Sequence, residues 1–189
     1  MSETADSILQ WAEEMDKYTA VEWDRLPDID LYMDQVLTYM DKQLCIFARN
    51  ENTNLLTSSM INNYVKDGVL PRPDHKKYSR EHLAFLMVIC MLKPVLSIQD
   101  ISLLLKSLLQ DSSKSDLYSR FCEAQSSALK EVSERVKFTA EQGDAELTRL
   151  AIKLSIEANA RRTASERILS ELANAAEKAK QEKTKSEKK

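Results

Sequence analysis

The sequence predicts an all-α protein in which several short helices are followed by a C-terminal region of long ones. Three observations predict it. Gly and Pro are scarce, at 2 and 4 of 189 residues, so tight turns are few. Ala, Leu, Glu, Lys and Gln dominate the second half, a composition that favours helix and disfavours a large sheet. Apolar residues recur with the 3.6-residue period of amphipathic helices through most of the first 110 positions.

Residues 4–18 read as a short amphipathic helix with Ile8, Trp11, Ala12 and Met15 on one face. Residues 19–28 are a connection, in which Pro27 disfavours helix at Leu26. From Asp28 onward, Ile29, Met33, Val36, Leu37, Met40, Leu44 and Phe47 form a stripe. It predicts a helix over about 29–47, capped by Asp28 or Asp30. Residues 48–54 are a polar break.

Leu56–Leu70 contains a short, strongly punctuated helix. Thr57 or Ser58 can accept bonds from the free N–H groups at its start, and Gly68 stands where a left-handed residue ends it. Met60, Ile61, Tyr64 and Val65 form the side to be buried. Ser58, Ser59, Asn62, Asn63 and Lys66 face the other way. PRPDHKKYS, residues 71–79, reads as a short ordered loop or minimal hairpin. Residues 80–93 are apolar nearly all round, which predicts a central helix, and Pro94 ends it. Ser97 caps the next helix, whose apolar residues are Ile98, Ile101, Leu104, Leu105 and Leu108, with Asp100 in its first turn.

DSSKS at 111–115 is a polar hinge and the expected domain boundary. Beyond it, Leu117, Phe121, Ala124, Ala128, Val132 and Val136 make one helical stripe, which Gly143-Asp144 breaks. A second helix is expected from about 145 to 180. Its heptads place Leu147, Leu154, Arg161, Ile168 and Ala175 at one core position, and Ala151, Ala158, Ser165, Leu172 and Ala179 at the other. The resulting division is an N-terminal helical arm (1–25), a first domain (26–110), a C-terminal helical region (114–182) and a charged tail (183–189).

Charge and cysteine usage bound the function classes. The formal net charge is −3, so there is no global footprint for nucleic acid. Residues 1–48 carry 11 acidic and 3 basic side chains, whereas residues 49–82 carry 4 acidic and 6 basic. The middle of the chain is thus modestly basic. Cys45, Cys90 and Cys122 are far apart and show no CxxC spacing, which fits a reduced, cytoplasmic protein with thiols packed as small apolar groups. The N-terminus lacks the basic and apolar regions of a signal peptide. The longest apolar run, Leu83–Leu92, is about half a membrane span. His75 and His82 have no carboxylate or thiol at ligand spacing, so no metal site is expected; His82 is expected to cap or cover a helix start. Enzyme chemistry and cofactor binding find no foothold, with no phosphate-binding Gly loop or nucleophile elbow.

Two resemblances give the reading its direction. Tyr64, Lys66, Gly68, Val69, Leu70 and Pro71, then Lys76 or Lys77, Tyr78, Ser79 and Leu83, fall in register with a family motif. Leu86, Ile89 and Leu92, and the run Ser97, Ile98, Gln99, Asp100, Ile101, continue it. The stretch resembles the winged helix-turn-helix of mercury-resistance-type (MerR-like) transcriptional regulators, here with a minimal wing. The family usually has an Arg where Asn62 stands and a Gly-aromatic-Arg where Asp74, His75 and Lys76 stand. The wider stretch from LPDIDLYMDQV (26–36) through Leu104 is similar to the domain of unknown function 1836 family of bacterial proteins, which carries no chemistry with it.

The resemblance implies a sequence-specific regulator that binds double-stranded DNA. A short helix with a polar outer face fits the major groove, where Asn can pair bidentately with adenine. The expected DNA-contacting residues are Ser58, Ser59, Asn62, Asn63 and Lys66 on that helix, with Arg72, His75, Lys76, Lys77 and Tyr78 gripping phosphates from the wing. Tyr64 and Tyr78 also suit a core or staple role. The resemblance further implies a homodimer formed through the C-terminal helices, and it carries over no effector. The competing reading keeps the winged fold but docks a protein, motivated by the net acidity, the missing Arg and the short wing.

Overall fold

The computed structural model describes residues 2–48 and 55–186. Among these residues it contains seven α-helices and one two-stranded sheet. The order is α1 (Glu3–Lys17), β1 (Leu31–Tyr32), α2 (Met33–Leu44), α3 (Ser58–Lys66), β2 (Lys77–Tyr78), α4 (Arg80–Leu92), α5 (Ile98–Asp111), α6 (Lys114–Ala140) and α7 (Asp144–Ser186). The expected polar break, 48–54, lies outside the described residues apart from Ala48.

The core forms around α4. Eight consecutive residues, His82 to Ile89, are buried, so this helix must be covered on every side. It packs against α2, α5, α6 and β2. Val36, Met40 and Leu44 supply the inner face of α2, and Ile101 and Leu105 that of α5. Leu83, Leu86 and Ile89 are fully buried, each worth about 1.5–3 kcal/mol in transfer free energy. The Ser97 hydroxyl accepts from the Asp100 N–H at 3.1 Å, as the sequence led us to expect. Leu108, expected on the apolar side of α5, is exposed.

The helix expected over 29–47 begins only at Met33. The preceding Leu31–Tyr32 is extended and pairs antiparallel with Lys77–Tyr78, with Leu31 opposite Tyr78. Ile29 lies in the bend before the strand and is 67% exposed. Neither Asp28 nor Asp30 caps α2; the Gln35 side chain accepts from the Tyr32 N–H at 2.9 Å instead. A fold expected to be all-α thus carries a small sheet.

One core runs across the DSSKS connection. Ser113 in that connection caps α6, its hydroxyl accepting from the Asp116 N–H. Leu117 and Tyr118 of α6 and Leu169 of α7 belong to the same buried cluster as α2 and α4. The Tyr118 hydroxyl donates to the Val21 carbonyl at 2.8 Å.

The most extensive packing between two elements is that of α1 on α6. Ala5 and Ala12 are buried on α1, and their small side chains allow close approach. The fully buried Ser133 hydroxyl donates to the Ala12 carbonyl at 2.7 Å. Lys137 pairs with Asp16 at 2.7 Å, which holds the Asp16 carboxyl below its usual range. Trp11, expected on the inner face, is 41% exposed. The expected α6 stripe holds in part: Leu117 and Val136 are buried, but Ala124 and Ala128 are exposed, and Tyr118, Ser133 and Ala140, outside the stripe, are buried. The docking of α1 selects that face.

Gly143, at φ +99°, breaks α6 from α7, as expected. α7 runs to Ser186, beyond the expected end near 180 and through part of the expected tail. Arg135 of α6 makes a two-pronged bond to Glu157 of α7, at 2.7 and 2.9 Å. The heptad seam expected in α7 is largely uncovered, with Ile168 and Leu172 60% and 54% exposed. Leu169, one position off that seam, is buried instead. Cys90 and Cys122 are half-buried, and burial pushes the Cys90 thiol up to about 12. Cys45 is exposed rather than packed. Among the described residues, no helix is long and apolar enough to cross a membrane.

Candidate nucleic-acid interface

The short helix α3 is defined at both ends by its own residues. The Thr57 hydroxyl accepts from the Met60 N–H at 3.2 Å, satisfying one free donor of the first turn. At the other end Gly68 takes φ +68°. Its N–H donates to the Val65 carbonyl, and the Val69 N–H donates to the Tyr64 carbonyl. This pair of bonds is the Schellman arrangement, in which a left-handed residue lets the chain turn back on the last helical carbonyls.

Ile61 and Tyr64 anchor α3 and are buried. Burial raises the Tyr64 phenol to about 12, and its ring lies 5.8 Å from Lys93 Nζ. With that side fixed, Ser58, Ser59, Asn62, Asn63 and Lys66 are all exposed. The nine-residue helix therefore presents five hydrogen-bonding side chains to solvent.

Leu70 is buried and ties the chain after α3 to the core. Arg72 is exposed. Asp74 to Lys77 then form a tight turn, closed by the Lys77 N–H donating to the Asp74 carbonyl at 2.8 Å. Its two central residues, His75 and Lys76, have φ +47° and +64°. Both positive values mark a type I′ turn, whose twist suits an antiparallel ribbon. Such turns favour Asn and Gly, and neither is present. His75 and Lys76 stand exposed at the tip, with His75 Nδ1 2.8 Å from the Asp74 carboxylate.

Lys77 and Tyr78 form β2. The Lys77 ammonium sits 5.4 Å from the centre of the exposed Tyr32 ring on β1. Tyr78 is 3% exposed. Its buried ring packs edge-on against His82 at 5.6 Å between centroids, which is the core or staple role that the sequence also offers for it. The other expected contact residues divide into the α3 face and the 72–77 segment. Helix α2 packs against both α3 and β2, so one helix carries both groups.

His82 anchors the base of the turn. Its Nδ1 accepts from the Ser79 N–H at 3.1 Å and lies 2.9 Å from the Ser79 hydroxyl, which caps the start of α4 as expected. Burial lowers its pKa below the usual 6.5; contacts with the Arg72 and Pro71 backbone oppose this more weakly.

Tyr32, which supports Lys77, carries no signal in the sequence, because the stretch around it has the spacing of a helix. Nor does the sequence mark the basic side chains that converge behind α3. Val69, Leu70, Phe85 and Leu105 line a cleft of about 480 Å³ there, with Lys66, Arg72, Lys106 and Lys114 among its other lining residues. Among the described residues, no group of three or more His, Cys, Asp or Glu is placed to hold a metal ion.

A protein-family model described as a domain of unknown function (DUF1836) matches residues 21–125, more than half of the chain. No curated protein and no solved structure matches it. The matched span contains β1 to α5 and the first part of α6. It leaves out α1, the part of α6 that receives α1, and α7.

Proposed function

We propose that this chain, which belongs to the domain of unknown function 1836 family, is a sequence-specific DNA-binding transcriptional regulator. In this reading β1 to α5 form a winged helix-turn-helix of the MerR-like kind. α3 enters the major groove, and the 72–77 turn is the minimal wing. The observation that carries the proposal is the solvent face of α3. Ser58, Ser59, Asn62, Asn63 and Lys66 are exposed together on a helix whose opposite side is locked into the core. Asn62 and Asn63 supply paired donor and acceptor groups that suit adenine. Arg72, His75, Lys76 and Lys77 supply phosphate contacts that fix register without reading sequence. Asp67 and Asp74 beside them limit the local positive field, so affinity rests on few phosphate contacts.

Ile168 and Leu172 leave apolar side chains exposed together on one face of α7. Their pairing between two copies would make a homodimer and place two α3 helices on one duplex. The same surface, together with the net charge of −3, favours a second reading: a module that keeps the fold and docks a protein without touching DNA.

Selection of duplexes from a random pool at physiological salt separates the two. Enrichment of a palindrome supports the regulator, and its half-site spacing gives the dimer geometry. Asn62→Ala should then change base preference, with a loss of about 1–3 kcal/mol at its position. Charge removal at Lys76 and Lys77 should weaken all duplexes and lower the slope of log K against log salt by about 0.9 per lost contact. No enrichment, with a stoichiometric protein recovered at moderate salt, sinks the DNA reading and supports the docking module.

A further inference from the structure

We propose that the cleft behind α3 is a binding site for an amphipathic organic anion, an apolar body carrying one anionic head. The cleft lies between the end of α3, the chain leading to the turn, α4, α5 and the start of α6, and measures about 480 Å³. That is within the range of small-molecule sites. Val69, Leu70, Phe85 and Leu105 give it an apolar floor; Val69, Leu70 and Leu105 are buried at 9% exposure or less, and Phe85 is 5% exposed.

The charged lining is entirely basic: Lys66, Arg72, Lys106 and Lys114. Lys66 and Arg72 come from the stretch 65–72, Lys106 from α5 and Lys114 from the start of α6, so the fold brings them together. Lys114 is already paired with Glu81. Lys66, Arg72 and Lys106 make no ion pair among the described residues. Three cations without a partner at the mouth of an apolar recess favour a ligand with an anionic head and a hydrophobic body. Ser102, also in the lining, adds a hydroxyl donor.

A second groove in the molecule provides the contrast. It lies between α1, α6 and α7, measures about 340 Å³, and is lined by Ile8, Leu147, Leu150 and Leu154. Asp144 is its charged lining residue. An apolar probe could enter it, but a negative head would not help.

The head-group contribution is therefore the discriminating quantity. Lys66 and Arg72 are also assigned to DNA, so ligand and duplex would compete. That consequence rests on the DNA reading, and the test is run without DNA so that the two fail separately. Decanoate, decan-1-ol and inorganic phosphate are titrated into the full chain and followed by amide chemical shifts. Decanoate is expected to bind at one site, at least tenfold more tightly than either decanol or phosphate. Its shifts should cluster on Val69, Phe85 and Leu105. Lys106→Glu lies on an exposed position outside the proposed DNA contacts, and should weaken decanoate at least tenfold with an unchanged melting temperature. Lys106→Gln should give a smaller loss in the same direction, and Lys153→Glu on α7 should give none. Equal affinity for decanoate and decanol overturns the proposal. So do shifts centred on Leu150, phosphate binding as tight as decanoate, or decanoate binding unaffected by either Lys106 variant.

Discussion

The turn at 74–77 holds two non-glycine residues in the left-handed region, and Lys76, at φ +64°, is the more telling of them. Left-handed backbone costs an L-residue about 1–2 kcal/mol. Glycine escapes that cost but loses about 0.5–1 kcal/mol through its freer unfolded chain. Lys76→Gly should therefore be more stable than Lys76→Ala by about 0.5–1 kcal/mol. At an ordinary loop position with negative φ the order reverses, since Ala then wins by about 0.4–1 kcal/mol. Both variants remove the same exposed charge, so their difference isolates the backbone. Urea unfolding with an unchanged m value measures it, and the melting temperatures should differ by about 1–4 °C. If the alanine variant is equal to or more stable than the glycine variant, the turn is not strained as described. Under the DNA reading both variants lower the salt slope alike. A natural Lys at this strained position would then trade stability for a phosphate contact.

Two further outcomes follow from buried polar groups. His82 is held neutral in the fold, chiefly by burial, with a pKa below 6.5. The unfolded chain therefore binds the extra proton first as pH falls, so stability is full above about pH 6.5 and declines toward the lower folded value. His82→Gln keeps an acceptor for the Ser79 N–H, as in a Ser-x-x-Gln capping box. Its unfolding free energy should change less between pH 7 and pH 5 than that of the wild type; equal slopes would remove His82 as the source. Tyr118→Phe deletes the hydroxyl that donates to the Val21 carbonyl, and should cost about 1–3 kcal/mol. A cost near zero in urea unfolding would mean that this bond does not hold the 18–25 connection to α6.

What the sequence disclosed follows from how local each signal is. The ends of α3 were legible because Thr57 and Gly68 act within one turn of their own helix. The same is true of Ser97 at α5 and of His82 at α4. The exposed face of α3 followed from the positions of Ile61 and Tyr64 alone. The strand Leu31–Tyr32 was not legible, since two residues have no periodicity and their partners are Lys77 and Tyr78. Ile29 continued the helical stripe by coincidence. The buried face of α6 was set by α1 from the far end of the chain, so Ser133 outranked Ala124 and Ala128 for burial. In α7 a heptad frame was visible, but a frame says which residues share a face and not whether anything covers it. Tyr78 shows the same limit at the site: nothing beside it in the sequence tells that the sheet packs its ring on His82. The cleft was invisible because Lys66, Arg72, Lys106 and Lys114 share no local pattern.

The clasp between α1 and α6 has a consequence for the order in which the molecule forms. The Ser133 hydroxyl meets the Ala12 carbonyl across 121 residues. Closing a loop of that length costs about 4 kcal/mol of chain entropy by the logarithmic rule. On a ribosome adding about 5–20 residues per second, α1 emerges roughly 6–24 s before its docking surface has been made. Throughout that interval its apolar side, Ala5, Ala12 and Met15, has no native partner. Most of the family-matched span, 21–125, is translated in the same interval and contains its own core. The nascent chain would therefore build its centre first, and its beginning would be among the last parts to settle.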